Sequence, residues 1–444
     1  MLDASQYGPA CPQAGFNKNT AEDCLTLNVW APDGANKLPV LFYIHGGSFC
    51  RGSGNEPRYD GRRLAEKRGV VVVTVNYRLG ALGFMDFSAV DPAFKSNCGL
   101  SDVTLALKWV YENIEAFGGD SSKITIAGQS AGATMVSVLM TIPSARQYIS
   151  RAIMMSGTPS ILHTPETSAA VSRDFMDFMG ISSAEELRNI SARELTEKQN
   201  KFIVKSKSAE ASFSIVADGE LVKDLPTAAA TNGAAKDIPL LIGTTKDELS
   251  LSCTPLFSKM IVVKDIVAAI LLKEKKAIRR NIVTAYRKHG LRARSRIVSD
   301  HLFKMSSLWF AQACAAHSNV WMYSFDYSTC ALRVSAVGAC HSSDIPYLFG
   351  NMNAHKCAPM FILSPSRKTI DKVAGEYSGD FTDFVKTGEL PWQKLCGDES
   401  NAKHYDGKSG VSPVVDEKLQ REYDKSEYKK HSVSGLDSAV SLFM

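Results

Sequence analysis

The stretch ITIAGQSAGA, Ile124–Ala133, decides the reading of this 444-residue chain. Its first half is a short β-branched run, which predicts a strand. Its second half is Gly128-Gln129-Ser130-Ala131-Gly132, a G-x-S-x-G pattern. An apolar segment, Ala131–Met140, follows and has the character of a helix. A strand, a sharp turn and a helix in this order would lift a serine above the end of a sheet, with a helix N-terminus beneath it. Small residues must flank the serine, because the turn brings strand and helix backbones close together. The pattern alone carries little weight. The strand before it and the helix after it make Ser130 a candidate nucleophile.

Working outward, the front of the chain alternates strand-like and helical segments. Leu25–Trp30, Val40–Gly46 and Val70–Tyr77 read as strands. Asp102–Phe117 reads as a helix, with Leu105, Trp109 and Ile114 near helical spacing, Asp102 at a cap position and Gly118-Gly119 at its stop. Ala152–Gly157, Ile238–Thr244 and Val320–Phe325 read as further buried strands, separated by mostly helical stretches over 164–208 and 262–300. Strands alternating with helices predict an α/β fold, a mostly parallel central sheet with helices on both faces and helical insertions. No repeat and no Pro/Gly/Ser linker divides the chain, so residues 1–444 are expected to form a single domain.

Composition narrows the function. Hydrophobic residues make up 45% and charged residues 22%, which excludes collagen-like, coiled-coil and largely disordered classes. A net charge of +5 gives no electrostatic case for nucleic acid as a partner. No apolar run approaches the roughly 20 residues of a membrane-spanning helix. The start, MLDASQYGPACPQ, lacks a basic stretch followed by an apolar core, so as written the chain reads as cytoplasmic. Ten cysteines show no metal-ligand spacing. The segment from Lys273 to Arg296 holds ten Lys or Arg and one Glu, and is expected to be a solvated helical face.

A serine nucleophile needs three further parts. The first is a set of backbone N–H donors for the negative charge that develops on an acyl oxygen. His45-Gly46-Gly47-Ser48-Phe49 ends an earlier strand and supplies them, with the N–H groups of Gly47, Ser48 and Ala131 as candidates. The second is a histidine to take the serine proton. Chain order nucleophile, acid, histidine removes His45, and His163 follows Ser130 too closely. His341, in the loop GACHSSDIPYLFG, is favoured, with His355 as nearest rival. His289, His301, His317, His404 and His431 are expected at the surface. The third part is a carboxylate after an intervening strand. LLIGTTKDELS offers Asp247 and Glu248, and pattern alone does not choose between them.

These stretches, together with GPACPQ, AEDCLTLNVWAP, PVLFYIHGGSF, VVVVTVNYRLGALGF, NCGLSDVTLALKWVYENIEAFGGD, RAIMMSG, IPLLIGTTKDE and HSSDIPYLFG, resemble the type-B carboxylesterase (cholinesterase-like) family of α/β hydrolases. The match runs from about Tyr7 to about Gly350 and continues faintly at DFVKTGELPW. The resemblance implies an α/β-hydrolase fold and a serine esterase acting on small-molecule esters through an acyl-enzyme, with no metal and no other cofactor. It implies Ser130 as nucleophile, His341 as base and Glu248, rather than Asp247, as the acid. It further implies a polar network of Ser156 and Asp344 near the histidine, a buried Arg78–Asp102 ion pair, and a Cys11–Cys24 disulfide of the kind found in exported relatives. Oligomeric state and substrate preference are not implied.

Departures from the family pattern sharpen the expectation. Ser48 replaces a third loop glycine, which is tolerable if only its N–H is used. Cys98 and Val103 replace common family residues in the helix before the elbow. Gln129 stands where many members carry Glu, and the loop between Cys11 and Cys24 holds no tryptophan. Both features argue against cationic choline esters. Family members usually carry additional edge strands ahead of the matched region. Their lack implies a shortened sheet edge, and an inactive or truncated relative with a binding or adhesion role is the alternative reading. All three positions of the Ser-acid-His set are filled, which favours the enzyme.

Overall fold

The computed structural model describes residues 4–13, 19–206, 212–251, 267, 271–362 and 367–434. Part of the helical stretch expected over 262–300 lies outside these residues. Nine strands form one sheet: β1 (Leu27–Trp30), β2 (Leu38–Ile44), β3 (Val71–Val75), β4 (Gly119–Gln129), β5 (Arg151–Met155), β6 (Leu240–Thr245), β7 (Val320–Phe325), β8 (Asn401–Tyr405) and β9 (Gly410–Pro413). Their spatial order is β1-β3-β2-β4-β5-β6-β7-β8-β9. Only the outer pairs, β1 with β3 and β8 with β9, are antiparallel; every other pairing is parallel.

The period-2 alternation of strand side chains builds two cores from this one sheet. Val40, Phe42 and Ile44 of β2 enter one buried cluster, while Leu41 and Tyr43 enter the other. Val71, Val73 and Val75 divide from Val70 and Val72 in the same way. The first face is covered by the helices Cys98–Asn113, Ala131–Leu139 and Ser306–Ala315, and the second by Arg62–Arg68 and the long helix Arg367–Thr387. Strands buried on both faces explain why they read as continuous apolar runs. Among the described residues, no helix is long and apolar enough to cross a membrane.

The helix before β4 differs from its sequence reading. It begins at Cys98, so Asp102 is not a cap but a buried residue within it. The buried stripe is Leu100, Val103, Leu107, Val110 and Ile114, while Leu105 and Trp109 are exposed. Apolar residues occur on both sides of this helix, so spacing alone picked Ile114 rightly but Leu105 and Trp109 wrongly. Asp102 instead clamps the end of β3: its carboxylate receives Arg78 Nη2 at 2.6 Å, Nε at 2.8 Å and the Arg78 N–H at 3.0 Å. The aspartate is buried, but the arginine side chain is 38% exposed, so the pair is only half buried.

Candidate active site

Parallel strands deliver their carboxyl ends to one edge of the sheet, where α/β sites are built. Ser130 follows β4 directly and has φ +59° and ψ −125°, outside the ordinary regions for a non-glycine residue. Its neighbours explain how the turn is held. A Cβ on Gly128 would strike the Gly132 carbonyl, and one on Gly132 would strike Ile44 O. Ser130 N donates to Met155 O at 2.9 Å, tying the turn to β5. Ala131 opens the following helix, so its N–H has no partner within that helix.

The His45–Phe49 loop leaves β2 beside this turn, because Ile44 pairs with Gly128 in register. A Cβ on Gly46 would lie 2.5 Å from Gln129 O and 2.9 Å from Ser130 Cβ, so the loop backbone packs directly on the elbow. Gly47 has φ +132°, where a side chain would also strike Arg51 O. Ser48 and Phe49 both adopt left-handed φ values, +52° and +57°. His45 is buried, and burial pushes it down to about 4, so it is a neutral structural ring. It stacks on Tyr77 at 4.4 Å, and Tyr77 OH donates to its carbonyl at 2.7 Å.

Glu248 and His341 meet across the ends of β6 and β7. His341 Nδ1 lies 2.5 Å from Glu248 Oε2, and the Glu248 carboxylate is 2% exposed. Its other oxygen accepts the Thr245 N–H at 2.7 Å, and His341 N donates to Glu248 O at 3.0 Å. Asp247 turns the other way. It pairs with Arg296 Nη2 at 2.5 Å and accepts the Ala339 N–H at 3.2 Å. Of the two carboxylates left open by pattern, Glu248 faces the histidine and Asp247 does not. Arg296 ends the basic segment, so that segment is not wholly a solvated face. His355, the rival histidine, is exposed.

This strand-end arrangement coincides with a whole-chain match. The sequence profile of the carboxylesterase family matches residues 1–434. The chain belongs to the carboxylesterase family. It is 36% identical over 366 residues to para-nitrobenzyl esterase of Bacillus subtilis, covering 80% of this chain and 74% of that protein. It is 31% identical over 420 residues to phenmedipham hydrolase of Pseudarthrobacter oxydans, covering 89% and 82%. The crystal structure of a Geobacillus stearothermophilus carboxylesterase superposes with a TM-score of 0.82 at 32% identity, covering 95% of this chain and 88% of that one. The fold is the α/β-hydrolase fold, and the protein is a carboxylic ester hydrolase of the serine esterase class.

Other expected residues of this esterase take up particular places. Asp344 is fully buried, and its Oδ2 accepts from Tyr377 OH at 2.9 Å. Burial and the nearby Glu248 charge push it up to about 6. Ser156 follows β5 with φ +52°, its N–H donating to Gly243 O at 2.8 Å. Among the described residues, neither side chain hydrogen-bonds to His341, and Ser156 Oγ and Asp344 Oδ1 have no protein partner. Cys11 and Cys24 form a disulfide with Cα atoms 5.0 Å apart.

Three features of the esterase were not read from sequence. Gln13 is buried and exchanges two hydrogen bonds with the backbone of Gly52. The Gln129 amide nitrogen lies 3.0 Å from His341 Nε2. A π-helical turn, Asp300–Met305, brings the Phe303 ring to 5.1 Å from the His341 ring and sends His301 the other way. His301 was expected at the surface but is 1% exposed, stacked on Tyr428 at 3.8 Å. A π-turn or a side-chain-to-backbone latch leaves no periodic signal in sequence. Only Gln129 was visible, as the residue before the serine in the elbow motif.

Proposed function

We propose that Ser130, His341 and Glu248 form the catalytic triad of this esterase, with Gly47, Ser48 and Ala131 as its oxyanion donors, in one catalytic unit spanning the chain. The observation that carries this reading is the short His341–Glu248 contact, with Glu248 buried and held by the Thr245 N–H. A carboxylate so placed fixes the Nδ1–H tautomer of the imidazole and leaves Nε2 as the base. Ser130 Oγ attacks the ester carbonyl as His341 Nε2 takes its proton. Negative charge then develops on the carbonyl oxygen, which backbone N–H groups receive without reorganisation. His341 returns the proton to the departing alkoxide, giving the alcohol and an acyl-Ser130. Water repeats the sequence to release the acid. Glu248 stabilises the imidazolium in both halves and remains ionised.

Substrates are proposed to be small neutral carboxylic esters. Gln129 places no negative charge beside the nucleophile, and Phe303 offers an apolar aromatic wall next to His341. The name of the para-nitrobenzyl esterase relative points to aryl-bearing esters as the first to try. The Cys11–Cys24 bridge supports folding in an oxidising compartment. The deciding experiment is hydrolysis of a p-nitrophenyl ester by the wild type and Ser130→Ala. The variant is expected to lose on the order of 10⁶ in kcat. Full turnover by Ser130→Ala would refute the assignment.

A further inference from the structure

A neutral His341 that carries its proton on Nδ1, toward Glu248, offers one lone pair at Nε2. That lone pair is the site from which Ser130 must be deprotonated. It is already engaged by the Gln129 side chain, whose amide nitrogen sits 3.0 Å away. The lone pair can meet only a donor, so the Gln129 N–H donates. Among the described residues, no hydrogen bond joins Ser130 Oγ to His341. The other end of the amide lies over Gly46, where a Cβ would come within 2.8 Å of Gln129 Oε1. Gln129 is 2% exposed, so water does not compete for either end. The amide thus spans the site from the glycine loop to the base.

We propose that Gln129 is a positioning residue that gates the base: at rest its amide holds the His341 Nε2 lone pair, and it yields that lone pair to Ser130 when an ester fills the site. This rests on the assignment of Ser130 and His341 above. One sp² lone pair serves one strong donor at a time, so the Gln129 and Ser130 bonds exclude each other. Once Ser130 has given up its proton, Nε2 becomes a donor. The amide then has to turn, presenting Oε1 in place of its N–H. The amide therefore tracks the protonation state of the base, which a carboxylate at this position could not do.

The test is the rate of covalent labelling by diisopropyl fluorophosphate, which is small and needs little of the substrate site. Ser130 Oγ forms a bond to phosphorus, the P–F bond breaks, fluoride leaves and the Oγ proton passes to His341 Nε2. Gln129→Met keeps the side-chain length and removes the donor. Gln129→Leu also removes the donor without adding charge and serves if the Met variant fails to fold. A gate predicts faster labelling in the variant, by about fivefold, the worth of one neutral hydrogen bond. Disruption of the site would slow it instead, so the direction separates a gate from a structural role. Unchanged or slower labelling, in a variant with wild-type near-UV circular dichroism, overturns the gate. Labelling that persists in Ser130→Ala overturns the site assignment, and the gate with it.

Discussion

Gln13 and Gly52 exchange two hydrogen bonds of 2.7 Å across 39 residues of sequence: the Gln13 amide donates to the Gly52 carbonyl and accepts from the Gly52 N–H. Gly52 lies three residues past the glycine loop that packs on the elbow, and its Cα approaches His45 so closely that a Cβ would come within 2.5 Å of Nδ1. Gln13 lies two residues beyond Cys11, so the disulfide segment holds the loop in place from outside the sheet. Gln13→Ala leaves a buried N–H and a carbonyl without their partner. It is expected to cost about 2 kcal/mol of stability. Because the proposed oxyanion donors would act only when held in position, kcat/KM should also fall about tenfold. Urea unfolding and p-nitrophenyl ester kinetics on the same variant check both. A stable variant with wild-type kinetics would show that the latch does not govern the loop.

The neighbours Asp247 and Glu248 should separate cleanly. Glu248→Gln removes the charge that orients and stabilises His341 and should lower kcat by about 10⁴, with little change in stability. Asp247→Asn leaves Arg296, which is 16% exposed, without its carboxylate. That should cost about 2 kcal/mol of stability and leave kcat within about fivefold. Reversed effects in steady-state kinetics and thermal melts would reassign the acid.

Much of this was legible in the sequence because the relevant physics is local. The β-branched runs read as strands because both faces of the sheet are covered. The elbow read correctly because Gly128 and Gly132 are required by contacts within a few residues of Ser130 or with the adjacent strand. What stayed hidden depends on partners far along the chain. The choice between Asp247 and Glu248 turns on Arg296 and His341. Leu105 and Trp109 looked like a core stripe because the helix Cys98–Asn113 is apolar on more than one side; packing against the sheet selects Leu100, Val103, Leu107 and Val110. Gln13 is a polar loop residue whose partner is main chain, and no composition or period marks such a pairing.

Asp344 should make stability fall as pH rises. Its folded value, about 6, lies above the ordinary 3.8, so the native state keeps a proton that the unfolded chain has lost. Its contribution is complete below about pH 4 and declines until about pH 6. The full span is about 3 kcal/mol at 1.36 kcal/mol per pKa unit. Asp344→Asn keeps an oxygen for Tyr377 and cannot ionise. The stability of Asp344→Asn relative to wild type should therefore increase by about 2 kcal/mol between pH 4 and pH 7.5. Urea unfolding at the two pH values measures it, and a constant difference would mean that Asp344 ionises freely in the folded protein.

His301 should act with the opposite sign. Burial pushes it from 6.5 down to about 3, and among the described residues neither ring nitrogen has a hydrogen-bond partner. Below pH 6.5 the unfolded chain binds a proton there and the native state does not. The unfolded state then holds the extra proton, so this contribution is lost as pH falls from about 6.5 to about 3. At pH 5 the loss reaches about 2 kcal/mol. His301→Phe keeps a flat ring against Tyr428, which stacks on His301 at 3.8 Å, and buries no unpaired nitrogen. The variant should lose about 2 kcal/mol less than wild type between pH 7.5 and pH 5, with ester hydrolysis unchanged at pH 7.5 because His301 points away from His341. His45, held at about 4 by the same desolvation, remains in both proteins, so each should still weaken in acid. Equal losses in the two proteins over that interval would mean that His301 takes up its proton in the folded state, and would move the origin of acid sensitivity to His45.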